Sequence, residues 1–224
     1  MTIHPATFNS SSKESINLVR NMMMLGNYNN DIFYPNNMPS ELRPLPYEKA
    51  WEKCTISNWF NIQLEDGSLL IYKKDSYIYM MTPVKTLSYE EYLESYYPQD
   101  EWGDADEFKV MISQEYDNYI DTHTKNFPPL PVRYDIDEEH YCEHSHPYCH
   151  FHFGIENEGR VATQKILTPL SFTAFILRSF YPKQWKKYSE SDLITEHLRH
   201  FKGNLGVSPP NYWKGYEKDL LYIG

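Results

Sequence analysis

Five of the chain's nine histidines fall within thirteen residues: His140, His144, His146, His150 and His152. The last two sit in His150-Phe151-His152-Phe153-Gly154, where imidazole alternates with phenyl. In an extended strand residues two apart share a face, so both imidazoles project together while the phenyl rings enter the apolar layer behind them. Imidazole titrates near neutral pH and is the commonest metal ligand, so such a pair points to proton transfer or to coordination. For coordination, His146, His150, His152 and Glu156 would surround zinc or another divalent ion. Cys142 and Cys149 lie nearby but lack the Cys-x2-Cys pairing of structural zinc sites.

Proton transfer without a metal is the first expectation, and no cofactor is assigned. Cleaving RNA through its own 2′-hydroxyl needs a base near pH 7, an acid for the leaving oxygen and a cation for the developing phosphorane charge. His150 and His152 are the acid/base pair in this reading, and Arg133 and Arg160 clamp the phosphate. Asp135 and His146 orient the imidazoles through their second ring nitrogens.

Short strands must position these groups. VRYDID is one, with Arg133 and Asp135 facing one way and Tyr134 the other, approached through the stiff segment NFPPLPV. YCHFHFGI is the next, and a third begins at Arg160. Upstream, WFNIQL, SLLIYKK and SYIYMMTP read as an antiparallel meander, with Glu65-Asp66-Gly67 at the first turn. Ser11 to Glu14 reads as a capping box that predicts a helix over residues 12–25, stopped by Gly26. Residues 28–46 are rich in Asn and Pro and read as a loop. Ser88 with Glu91 caps a second helix that stops before Pro98, and an acidic helix is expected over 104–119. Thr168-Pro169 starts a strongly apolar helix that ends at Pro182. A last helix follows Ser189 and ends near Gly203.

The class expected is α+β, an antiparallel sheet with helices packed mainly on one face. One domain is expected over 1–224: a helix and loop in 1–57, the sheet and histidine strand in 58–168, and C-terminal helices and tail in 169–224.

The net charge of -10 argues against non-specific coating of nucleic acid. It is uneven: residues 160–224 hold ten Lys/Arg against five Asp/Glu, so a basic stretch follows the histidines. Three cysteines without framework spacing suit a reducing compartment. No targeting pattern opens the chain, and no run approaches the roughly 20 apolar residues of a membrane span. A cytoplasmic protein with no membrane partner is expected.

Arg133-Tyr134-Asp135, His146-Pro147-x-x-His150-x-His152-x-Gly154, Arg160, Leu167-Thr168-Pro169 and FILRSFY before Trp185 together resemble an uncharacterised bacterial family, domain of unknown function two-two-nine-zero. The family carries no established activity. A more distant likeness, through Arg133, Tyr134, Asp135, His140, His146, His150 and His152, is to TumE-type toxins of toxin-antitoxin pairs. That likeness implies action on RNA. Two functions are therefore carried forward. One is a toxin-like or defence-associated bacterial protein with a metal-independent, ribonuclease-like phosphodiesterase site, acting on RNA and paired with an antitoxin. The other is a non-catalytic accessory subunit of an anti-phage defence complex, bound to a larger partner such as a defence ATPase.

Overall fold

Strand alternation and one tight turn set the frame. Gly67 takes φ +86°, a conformation that favours glycine, and its carbonyl accepts a 3.1 Å hydrogen bond from the Trp51 indole. On either side run β2 (Ile62–Leu64) and β3 (Leu69–Lys73). The computed structural model describes residues 4–30, 32–83, 87, 89–97, 106–126, 129–155, 159–190 and 205–219. Its main sheet has seven antiparallel strands in chain order, adding β1 (Leu25–Tyr28), β4 (Ser76–Met80), β5 (Val132–Ile136), β6 (Cys149–Phe153) and β7 (Arg160–Ala162). The expected α+β class holds. Internal contacts divide the chain into two compact units, Met1–Thr82 with Leu130–Gly224, and Pro83–Pro129.

In the first unit the two sheet faces bury different cores. One face presents Leu70, Tyr72, Tyr77, Tyr79, Val132, Tyr134 and Phe151 to α1 (Pro5–Asn21) and α6 (Pro169–Phe180). Large rings fill this layer: Tyr77 stacks on Tyr134 at 5.7 Å, and Phe151 stacks on Phe172 at 6.3 Å. The opposite face presents Leu69, Ile71 and Met80 to Ala50 and Cys54 of α3 (Tyr47–Ile56) and Met38 of α2 (Met38–Leu42). The helical cover is thus shared between the faces. Neither of the added helices shows a side-chain cap, which is why 28–57 carries no sequence signal for them.

The first helix departs from its expected bounds at both ends. It begins at Pro5, where His4 Nδ1 accepts from Ala6 N–H at 3.3 Å. It ends in a Schellman turn: Met23 takes φ 58°, and Met24 N–H donates to Val19 O at 3.1 Å. Gly26 lies instead in β1, where a Cβ would sit 2.9 Å from Leu64 O. Ser11 is no cap; its buried hydroxyl accepts the Leu170 N–H at 2.8 Å and ties α1 to the first turn of α6. That turn is capped as expected, with Thr168 and Ser171 bonding reciprocally. Pro182 does more than stop α6, since it opens α7 (Pro182–Ser189).

The chain then adds β8 (Lys165–Ile166) paired with β9 (Gly206–Val207), and α8 (Gly215–Asp219). The helix expected from Ser189 to Gly203 lies outside the described residues. In the second unit α4 (Tyr89–Tyr96) and α5 (Asp106–Asn126) share a tyrosine cluster, with Tyr92 5.3 Å from Tyr116 and 5.0 Å from Tyr119. Among the described residues no helix is long and apolar enough to cross a membrane.

Candidate functional site

Register, more than spacing, assembles the site. Across β5 and β6 Arg133 stands opposite His152 and Asp135 opposite His150; across β6 and β7 His152 stands opposite Arg160. On the other side Ser76 of β4 stands opposite Asp135. Directly opposed residues of an antiparallel pair share a face. Ser76, Arg133, Asp135, His150, His152 and Arg160 therefore lie on one face, with Tyr134 and Phe151 behind them in the core. Cys149 alternates onto that core side and is buried there.

The contacts are close. His150 Nε2 lies 2.9 Å from His152 Nε2, and His152 Nε2 lies 3.3 Å from Asp135 Oδ2. Asp135 is held from two further sides: the Ser76 hydroxyl donates to Oδ1 at 2.7 Å and Arg133 Nε donates to Oδ2 at 2.7 Å. His150 Nδ1 lies 2.7 Å from the Pro147 carbonyl. A carbonyl can only accept, so His150 carries its proton on Nδ1 and offers an Nε2 lone pair, and the Nε2–H of His152 lies between that lone pair and Asp135 Oδ2. Both rings are almost fully buried, His150 at 0 % and His152 at 2 % exposure, while the Arg133 and Asp135 side chains remain 35 % and 18 % exposed. Solvent meets the group along that carboxylate and guanidinium edge.

His146 joins through its ring, not its nitrogens. Its imidazole stands edge-on to His150 at 4.8 Å, while its Nε2 lies 3.1 Å from Asp137 Oδ2, off the line of a hydrogen bond. Asp137 also takes His140 Nδ1 at 3.1 Å. His140 is exposed and His144 sits at the surface, so neither enters the buried group. Glu156 lies outside the described residues.

Burial sets the protonation of the group. It pushes the His150 imidazole down to about 4, and the neighbouring His152 adds to the effect against the pull of Asp135. His150 is neutral at pH 7, as its tautomer requires. Burial also raises Asp135, but the hydrogen bond with His152, the Arg133 guanidinium and the Ser76 hydroxyl outweigh it and leave the carboxyl below its ordinary range. His146 is lowered by burial and by Arg160, against the pull of Asp137. The result is an ionised carboxylate and a neutral imidazole whose reactive atoms converge. Ligand atoms of Asp135, His150 and His152 all lie within 4.8 Å of one another.

Sequence reasoning missed three contributors: Ser76, Asp137 and the Pro147 carbonyl. Alternation in SYIYM places Ser76 on the same face as Ile78, but only the β4–β5 register brings it to Asp135.

A model of the family described as uncharacterized conserved protein (DUF2290) matches residues 16–208, and the chain belongs to that family. No curated protein and no solved structure matches the chain.

Proposed function

We propose that this member of the family carries a histidine-based, ribonuclease-like phosphodiesterase site and works as a toxin-like or defence-associated cytoplasmic protein. The observation that carries this reading is the cross-strand row Arg133, His152, Arg160, with Asp135 and His150 in the adjacent row. Guanidinium groups on both sides of an imidazole suit a phosphodiester, because they match its charge and can hold two of its oxygens. A phosphate anchored on Arg160 would bring its neighbouring hydroxyl, or a water, to the exposed edge of Asp135.

The imidazoles act as one unit. Their Nε2 atoms face each other and share a proton, so they do not straddle a substrate as separate acid and base. The His–His–Asp group generates the nucleophile; the guanidinium groups stabilise the charge that develops on the phosphorus oxygens.

Expression in a bacterium without the gene's neighbours tests the reading. The parent should slow growth and shorten cellular RNA, and His152→Ala should abolish both while the protein still accumulates folded. A harmless parent with intact RNA would sink it. The second reading, an accessory subunit bound to an antitoxin, a defence ATPase or another large partner, is favoured by the net charge of -10, which suits a nucleic-acid enzyme poorly. Stable co-purification with a neighbour-encoded protein, together with a harmless parent, would make it the better account.

A further inference from the structure

We infer that Asp135, His150 and His152 bind one divalent first-row transition ion. Three observations converge on it. First, the donors are of the right kind and number: two imidazoles and one carboxylate, the set that leaves open positions for water or substrate in catalytic sites. A hard ion such as magnesium would ask for oxygens instead.

Second, the distances suit an ion between them. Ligands roughly 2.0–2.1 Å from a tetrahedral centre stand about 3.3 Å apart. The Nε2 to Nε2 separation is 2.9 Å and the His152 Nε2 to Asp135 Oδ2 separation is 3.3 Å. The imidazole pair would open by a few tenths of an ångström to take the ion, and all three ligand atoms already lie within 4.8 Å of one another, so the third pair would close onto it. Coordination would use the His152 Nε2 lone pair, so the ring's N–H would then sit on Nδ1.

Third, the outer contacts are those that orient ligands. His150 Nδ1–H donates to the Pro147 carbonyl at 2.7 Å, which fixes the tautomer with Nε2 turned inward. Ser76 holds Asp135 through Oδ1, the oxygen that does not approach His152. Both imidazoles are almost fully buried, and mere solvation does not account for two polar rings placed in the interior and aimed at each other.

The ion set differs from that expected from sequence spacing. His146 is directed to Asp137, and Asp135 takes its place because β5 and β6 pair in register. The ion deepens the proposed phosphodiesterase reading by supplying the positive centre that acidifies water, but its binding does not depend on that reading.

The test uses the full chain, stripped with a chelator and titrated with Co²⁺ and Zn²⁺. Visible ligand-field absorption should saturate at one equivalent of Co²⁺ and be displaced by Zn²⁺. Asp135→Asn and His152→Gln, checked for folding by circular dichroism, should lose it. His146→Ala should keep it, and Ser76→Ala should bind about 10- to 100-fold more weakly. A folded parent that takes up neither ion at one equivalent, or binding undiminished in folded Asp135→Asn and His152→Gln, would overturn the inference. The wild-type titration decides the point even if a variant fails to fold. Ion binding without cleavage of any phosphodiester would leave the ion and remove the proposed function. Cleavage by the stripped protein would keep the proposed function and remove the ion's part in it, while the titration alone decides binding.

Discussion

Truncating Phe172 to alanine should unfold this protein well below its parent's melting point. The ring is 0 % exposed. It stacks on Phe151 at 6.3 Å and leans on Tyr77 at 5.8 Å, so it joins α6 to the middle of the sheet. Phe→Ala at such a site removes the transfer free energy of a phenyl ring and leaves a cavity that stiff neighbouring rings cannot fill, a loss of roughly 3–5 kcal/mol. For a domain of this size each kcal/mol moves Tm by about 2–4 °C, so the shift should be roughly 6–20 °C. Phe175 is only half-buried, 4.8 Å from Phe151, and Phe175→Ala should cost less. Urea unfolding followed by circular dichroism is the assay, with midpoints compared at constant slope. Because Phe151 lies between the two site histidines, the Phe172 variant should also loosen the imidazole pair. A Phe172→Ala protein that melted with its parent would refute the layering of α6 on the histidine strand.

Three further outcomes follow from local contacts. Ser11→Ala strands the buried Leu170 N–H that now bonds at 2.8 Å, and should cost about 1–3 kcal/mol in chemical denaturation. Met23→Gly should stabilise by about 1 kcal/mol, since Met23 pays for a left-handed φ of 58° while its side chain is 73 % exposed; an unchanged Tm would show that the turn carries no strain. His150 has its pKa lowered to about 4, so as pH falls the unfolded chain takes a proton first. Stability of the chelator-treated protein should therefore drop between about pH 6.5 and 4, by on the order of 3 kcal/mol, and His150→Gln should flatten that slope.

The strand carrying the histidines was legible because its alternation is strict: His150 and His152 face one way, Phe151 the other, and the same holds for Arg133, Tyr134 and Asp135. The Asp66-Gly67 turn and the Thr168-Pro169 start were legible because each answers a local backbone need. That Asp135 meets an imidazole and Arg133 was expected, but which imidazole it meets was not legible, because sheet register is decided by the loop over 137–148 and by pairing between distant strands. The same holds for Ser76, far from the histidines in sequence. His146 was expected to orient an imidazole; Asp137 draws its nitrogen away and leaves only ring contact. The helix over 47–56 escaped notice because Pro46 caps it without a side-chain hydrogen bond, and the start of the first helix because His4 is an unusual cap.

Incubation of the purified full chain with an end-labelled RNA, once stripped by chelator and once with one equivalent of Zn²⁺ or Mn²⁺, tests the central claim most directly. The account predicts time-dependent cleavage by the loaded protein, reduced about 10²- to 10⁴-fold in His152→Gln and weakened through KM in Arg160→Ala. RNA left intact by the folded, loaded protein, or cleaved equally well by His152→Gln, would contradict it.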